Sequence, residues 1–379
     1  MALNKPFSLL IKPAGPDCNL QCEYCFYRSR LALFPATTVH RMTIPMLEKL
    51  ISSYMATSQP VYAFAWQGGE PLLMGLEFFQ QVTHLQARYG RTGAAVQNSL
   101  QTNGALITDK LAEHFASYHF LAGISLDGPP SIHDRYRVNS AGDGSFSAVW
   151  RGIECLRRHN VDFNILTLVT QANIRRAAEV YRYLCDEGFM FQQYIPCVET
   201  DARGKVLPFS IDGESWGEFL CRMYDLWIKH DTRRVSVRLF DSILNLMVDQ
   251  RYTDCQIRLA CDTYFVVEHN GDVYPCDFFV EPRWRLGNIG NLSWHGLRVL
   301  PLYRQFSRRK GNHNEACKAC KWRRFCQGDC PKFRLSTEND TRQISHLCQG
   351  WQMFYEHTYA GFKQLADQIR RERPTCATR

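Results

Sequence analysis

The stretch Phe7-Ser8-Leu9-Leu10-Ile11-Lys12-Pro13-Ala14-Gly15-Pro16-Asp17-Cys18-Asn19-Leu20-Gln21-Cys22-Glu23-Tyr24-Cys25 joins a short apolar run to a Pro/Gly turn and then to three cysteines. The apolar run, Phe7–Ile11, reads as a buried strand closed by turn residues. The same texture recurs downstream. Strands are predicted at Val61–Trp66, Val96–Gln101, Phe120–Leu126, Phe163–Val169 and Phe189–Ile195. Amphipathic helices fall between them, at Ile44–Tyr54, Phe78–Tyr89, Leu111–Tyr118, Phe146–His159 and Ile174–Glu187. Thr43 is a suitable N-cap for the first, with Pro45 in its opening turn. Alternating strands and helices indicate βαβ units and a parallel sheet. Six units predict an α/β fold, a partial (β/α)6 TIM-like barrel open where a full barrel closes. A doubly wound open sheet is the alternative.

Parallel α/β folds bind ligands at the C-terminal ends of their strands. The first strand runs into the cysteines, and the second into Gln67-Gly68-Gly69-Glu70-Pro71. The third ends at Gln101-Thr102-Asn103-Gly104 and the fourth at Ser125-Leu126-Asp127-Gly128. These four loops are expected to face one mouth.

After Cys197 come a linker and a helix, Trp216–His230, and then the texture changes. Tyr264–Glu268 reads as a strand, and Asn270-Gly271 as the turn of a small β-hairpin. The segment around it carries eight cysteines and few apolar runs, so it is expected to need metal to fold. A last helix spans Gln352–Ile369. Two domains are expected, residues 1–235 and 236–379.

Sixteen cysteines among 379 residues are many for a chain expected to stay in the cytoplasm, where disulfides are disfavoured. The start, Met1-Ala2-Leu3-Asn4-Lys5-Pro6, lacks the apolar stretch of a secretory signal. No apolar run is long enough to cross a membrane. Five cysteines (Cys155, Cys185, Cys197, Cys221 and Cys376) are scattered and read as small buried hydrophobes. The formal charge of +8 counts every thiol as neutral. Three iron–sulfur clusters bearing eleven thiolates would bring it to about +3. The densest basic stretch, Lys318 to Arg324, lies inside the cysteine cluster and not on a separate face, which disfavours a nucleic-acid partner.

Cys18-x3-Cys22-x2-Cys25 supplies three thiolates, which leave one iron of a four-iron cubane open. The amino and carboxylate groups of S-adenosylmethionine can chelate that iron. One electron then breaks the S–C5′ bond and gives a 5′-deoxyadenosyl radical. Zinc is the alternative, but it takes a closed tetrahedral set, and His40 is too far along the chain to complete a compact knuckle. With the aromatic Phe26 following, the spacing resembles the signature of the radical S-adenosylmethionine superfamily. The resemblance implies that Gly68, Gly69 and Glu70 hold the methionyl amino group. It also implies ribose contacts from Ser125 and Asp127, a carboxylate contact from Arg137, an adenine contact from Val198, and Tyr24 against the ligand or the substrate.

Downstream, Cys317-x2-Cys320-x5-Cys326-x3-Cys330 with Cys348, and Cys255-x5-Cys261 with Cys276, make two complete four-thiolate sites. Spacing leaves open whether they take zinc or iron–sulfur, and which cysteine goes where. The arrangement resembles the SPASM extension with its two auxiliary [4Fe-4S] clusters. That resemblance implies Cys255, Cys261, Cys276 and Cys330 for the first cluster, and Cys317, Cys320, Cys326 and Cys348 for the second. Gly271-Asp272-Val273-Tyr274-Pro275-Cys276-Asp277, Trp284-Arg285-Leu286-Gly287-Asn288 and the Gln-Gly-Gly-Glu-Pro motif together resemble the anaerobic sulfatase-maturating enzymes. That family converts a cysteine or serine of a sulfatase into Cα-formylglycine without oxygen. It implies Asp277 as proton acceptor, Gln67 and Tyr24 against the substrate, and reduced flavodoxin or ferredoxin as electron donor. One departure is Gln327-Gly328-Asp329-Cys330, where the family often has two glycines before the cysteine; it is expected to affect a turn and not a ligand. The rival readings are a relative that modifies another peptide, for example by forming a thioether, and a non-catalytic metal-binding regulator.

Overall fold

The computed structural model describes residues 5–35, 38–335 and 344–373. Cys376 and residues 1–4 lie outside them. Ten strands form one mixed sheet: β1 (Ser8–Lys12), β2 (Tyr62–Trp66), β3 (Val96–Thr102), β4 (Leu121–Ser125), β5 (Phe163–Val169), β6 (Phe191–Pro196), β7 (Ser236–Val237), β8 (Tyr264–Glu268), β9 (Asp272–Tyr274) and β10 (Gly287–Asn288). Their order is β10-β9-β8-β1-β2-β3-β4-β5-β6-β7. Each of β1 to β6 is followed by a helix: Ile44–Met55, Gly75–Tyr89, Asp109–Ser117, Phe146–Arg158, Ala177–Asp186 and Gly213–His230. These are the six expected βα units. Thr43 caps the first helix, its hydroxyl accepting from Met46 N at 3.3 Å. None of the described helices is long and apolar enough to cross a membrane.

Two features were not anticipated. Arg238–Asp249 is helical, with Phe240, Ile243, Leu244 and Leu246 buried. The hairpin strand β8 joins the main sheet, pairing in parallel with β1 from Ser8↔Tyr264 to Lys12↔Glu268. The internal contacts accordingly divide the chain into two compact units that alternate along the sequence. One holds residues 1–126, 130–165 and 261–308; the other holds 127–129, 166–260 and 309–379. The expected division at 235/236 follows the sequence texture, whereas compactness follows the β1–β8 pairing.

In the first unit, strand parity sorts the side chains. Leu9, Ile11, Phe64, Trp66 and Leu100 are buried towards the helices. Leu10, Lys12, Ala65, Gln67, Ser99, Gln101 and Ser125 take the other face by alternation. That face is small or apolar low on the strands and polar at their C-terminal ends, where a site belongs.

In the second unit, the helices Gly213–His230 and Cys348–Glu372 pack through a core of Trp216, Phe219, Trp227, Phe240, Phe354 and Phe362. Glycine lets the backbones touch: a Cβ on Gly350 would lie 2.1 Å from Gly213 O and 2.8 Å from Gly217 N. Backbone cannot yield as a side chain can. Gly350→Val is therefore expected to cost about 3 kcal/mol or more, at or beyond the usual overpacking range, in chemical denaturation of the folded chain. Of the scattered cysteines, Cys155, Cys185 and Cys197 are buried as expected, and Cys221 is half-buried.

Candidate active site

The three N-terminal cysteines lie in a loop whose shape is set by neighbours on both sides. Asp17, just before Cys18, accepts from His40 N at 2.8 Å, His40 Nδ1 at 2.7 Å and Arg41 Nη1 at 2.6 Å. On the far side, Gln21 N donates to Val138 O at 2.7 Å and Glu23 N to Tyr136 O at 3.1 Å. These bonds bring Arg137 over the Tyr24 ring, 5.4 Å from its centroid. Tyr24 and Arg137, singled out separately in the sequence, are thus neighbours. Burial pushes the Cys18 thiol up to about 12, with the charges of Glu70, Cys22 and Cys25 adding to the effect. Three thiols gathered in one loop suit a bound cation that displaces their protons.

The Gly68-Gly69-Glu70 loop packs directly on the cysteine loop. Gly69 N donates to Gly15 O at 2.8 Å and Glu70 N to Asp17 O at 2.7 Å. A Cβ at position 69 would sit 2.0 Å from Asp17 O, so only glycine fits. Gly68 has φ +137°, a conformation closed to other residues. Glu70 has no exposed surface. Its carboxylate accepts from Leu72 N at 2.9 Å, Thr102 Oγ1 at 2.7 Å and Asn103 N at 2.8 Å. Burial raises it to about 7, against the pull of those bonds. Glu70 therefore staples its loop to the end of β3, which leaves the glycine backbone to meet a ligand. Asn103, held by this staple, donates to Asn19 Oδ1 at 2.8 Å and points Nδ2 at Cys18 Sγ, 3.6 Å away. Its position at a strand end was visible in the sequence, but its contact with the cysteine loop was not.

Gln67 donates to Gln101 Oε1 at 2.9 Å, and its own buried Oε1 has no hydrogen-bond partner among the described residues. A buried acceptor left open calls for a donor from outside the protein, such as a substrate thiol, hydroxyl or amide. Ser125 is half-buried at the end of β4.

Asp277 begins a short 3-10 turn after Cys276. Its Oδ1 is ion-paired with Nζ of Lys12, whose side chain is 1% exposed. The Lys12 ammonium also lies over the Tyr27 ring, 3.6 Å from the centroid, and the Tyr27 hydroxyl donates to the fully buried Glu268. Sequence reading missed Lys12, Tyr27 and Glu268. A lysine ending a buried strand was the available signal for the first. Removing one partner of a buried pair leaves the other charge stranded. Lys12→Met is expected to cost about 3–5 kcal/mol in denaturant unfolding. Lys12→Met with Asp277→Asn should recover a large part of that, and simple additivity of the two would argue against the pairing.

Cys276 is buried, with Cys261 packed against the same cluster, and its thiol is raised by burial and next by the charge of Cys261. In the second unit, Cys317, Cys320, Cys326 and Cys348 line one cavity with Trp322, Arg323, Ser345 and Trp351. Burial raises Cys326, and the charges of Cys348 and Cys317 contribute. Among the described residues no three His, Cys, Asp or Glu side chains converge tightly enough to grip a single ion. Ligands of a cubane sit on separate irons and need no such convergence. Asp127 and Val198 also belong to the second unit. Asp127 Oδ1 accepts from Leu168 N at 3.0 Å, and Val198 is packed in that unit's core.

Comparison with known proteins places these motifs in context. Residues 13–184 match the family described as the radical SAM superfamily, and residues 255–321 match an iron-sulfur cluster-binding domain. A cysteine-type anaerobic sulfatase-maturating enzyme of Clostridium perfringens is 36% identical over 369 residues, covering 96% of this chain and 100% of the relative. A serine-type anaerobic sulfatase-maturating enzyme of Bacteroides thetaiotaomicron is 34% identical, covering 96% and 93%. The solved structure of native anSMEcpe with bound AdoMet and Cp18Cys peptide superimposes with a TM-score of 0.90 at 36% identity, covering 96% of this chain and all of that one.

Proposed function

Because this chain belongs to the anaerobic sulfatase-maturating enzymes of the radical S-adenosylmethionine superfamily, we propose that the site in its first unit oxidises a cysteine or serine of a sulfatase to Cα-formylglycine. The observation that carries the reading is the flanking of β1 on both sides. β2 leads to Gln67 and the glycine loop, and β8 leads on to Cys276 and Asp277. One short strand thus gathers the three-thiol loop, an open acceptor and a carboxylate.

The residues fit the groups they are asked to hold. Cys18, Cys22 and Cys25 would hold a [4Fe-4S] cluster. The backbone of Gly68 and Gly69, with Tyr24, Ser125 and Arg137, would hold S-adenosylmethionine, and Asp127 and Val198 are further candidate contacts. By the family resemblance, Cys255, Cys261, Cys276 and Cys330 would hold one auxiliary cluster, and Cys317, Cys320, Cys326 and Cys348 the other. When bound, these groups supply the radical that removes a hydrogen atom from the target β-carbon and the acceptor for the second electron.

The chain's own side chains do the rest. Gln67 Oε1 accepts a hydrogen bond from the incoming peptide or its reacting side chain and fixes its position. The Asp277 carboxylate takes the thiol or hydroxyl proton; a base needs only hydrogen-bond reach of that proton. Lys12 holds Oδ1 of that carboxylate, leaving Oδ2 to accept. For a cysteine target, water hydrolyses the thioaldehyde product to the aldehyde, and the sulfur leaves as hydrogen sulfide. Reduced flavodoxin or ferredoxin supplies the starting electron, and the enzyme works in the cytoplasm.

The test is anaerobic incubation of the reduced, reconstituted enzyme with S-adenosylmethionine and Cys-x-Pro-x-Arg or Ser-x-Pro-x-Arg peptides, read by mass spectrometry. Formylglycine in either peptide is expected. Release of 5′-deoxyadenosine with both peptides unchanged would remove the sulfatase assignment while leaving radical chemistry in place.

A further inference from the structure

Asp329 of Gln327-Gly328-Asp329-Cys330, a departure from the family motif, does more than shape a turn. Gln327, Gly328 and Asp329 are consecutive left-handed residues, with φ of +51°, +69° and +63°. That conformation is free for glycine and carries some cost for aspartate, which bonds from its short side chain can offset. It has them. Asp329 is 1% exposed. Its Oδ1 accepts from Cys330 N at 2.7 Å and from Gln256 Nε2 at 2.9 Å. Its Oδ2 accepts from Ser345 Oγ at 2.6 Å.

Each partner belongs to a cysteine loop. Gln256 follows Cys255, and Cys330 is joined directly. Ser345 O accepts from Cys348 N at 2.9 Å, and Ser345 Oγ accepts from Leu347 N at 3.1 Å. All three groups bonded to the carboxylate are donors. Asp329 N donates to Cys326 O at 2.9 Å, which sets this residue directly beside one of the four cysteines of the second cluster. Buried cations brace the same turn. Arg334 donates to Gly328 O at 2.8 Å and Lys310 O at 2.9 Å, while Lys310 Nζ donates to Cys255 O at 2.7 Å.

We propose that Asp329 is a positioning residue for the auxiliary clusters. Its carboxylate ties the loops bearing Cys255, Cys330 and Cys348 together, and its charge holds the cluster of Cys317, Cys320, Cys326 and Cys348 at a lower reduction potential. Adding an electron to a cluster beside a fixed negative charge is less favourable, and the low internal dielectric strengthens that effect. The proposal rests on the assignment of the eight cysteines to two iron–sulfur clusters.

Two variants of the reconstituted full-length enzyme separate the parts. Asp329→Asn keeps the size and two of the acceptor bonds but removes the charge. EPR-monitored redox titration should show one auxiliary cluster shifted to higher potential, with iron content at the wild-type level. Asp329→Gly suits the left-handed backbone and removes the bridge. Its auxiliary iron should bleach several-fold faster under a chelator, while Asn retains most of the wild-type resistance. Far-UV circular dichroism and release of 5′-deoxyadenosine should stay at the wild-type level in both. Unchanged potentials in Asp329→Asn overturn the electrostatic part, and an unchanged bleaching rate in Asp329→Gly overturns the bridging part. Wild-type enzyme carrying about four irons only would instead overturn the cluster assignment beneath the proposal.

Discussion

Alanine at Cys18, Cys22 and Cys25 together is expected to abolish S-adenosylmethionine cleavage, with 5′-deoxyadenosine falling below detection and about four of about 12 irons lost. The loss should be complete because these thiolates would hold the other three irons of the cubane, and through them the iron that must remain open. Two described neighbours cannot replace them: Asn103 Nδ2 faces Cys18 Sγ at 3.6 Å as a donor, and Glu70 is committed to Leu72, Thr102 and Asn103. The remaining eight irons should stay, since the auxiliary cysteines lie at residues 255–348 and are held by their own loops. Iron analysis with EPR of the reduced triple variant checks both halves. Retained cleavage would mean that another site binds the cofactor, and loss of all iron would mean that the three sites assemble together.

Asp277→Asn should lower formylglycine formation by about 10²–10⁴-fold, the usual contribution of a positioned base. Asparagine keeps the shape of the carboxylate but cannot take a proton at neutral pH. 5′-Deoxyadenosine should still be released, so its ratio to oxidised peptide should rise. That uncoupling is the signature of a lost base and not of a lost cluster. The substitution also leaves the buried Lys12 ammonium without its partner, so some loss of stability should accompany it. Peptide affinity and the auxiliary EPR signals separate the two effects. If turnover is unchanged, Asp277 has no part in proton transfer and Lys12–Asp277 is a packing pair.

The sequence showed a good part of this design. Cysteine spacing is a local property, and three thiols within eight residues can be read without knowing the fold. Strand and helix periodicity is also local, and the six βα units appear where the alternation put them, with boundaries moving by a few residues. Motifs at strand ends fall near one another because parallel strands align their C-termini. Glu70 marks the limit of such reading. Its place in the motif was plain, but its carboxylate turns inward to Thr102 and Asn103, which follows from the depth of the loop and not from its spelling. Asp329 is a second case: a departure legible as a turn becomes a junction of three loops once Gln256 and Ser345 are seen around it.

By itself, then, the sequence determined the reaction class, through the three-thiol loop, and the alternating α/β plan, through short-range periodicity. The tertiary structure alone decided that β8 returns to lie against β1, pairing Ser8 with Tyr264. That return brings Asp277 to Lys12 and the Glu268–Tyr27 pair under the same ammonium. Periodicity says which face of a strand is buried but carries no address for its partner. Contacts between residues distant along the chain are set by the packing of the whole chain: more than 250 positions separate Lys12 from Asp277, and 73 separate Gln256 from Asp329.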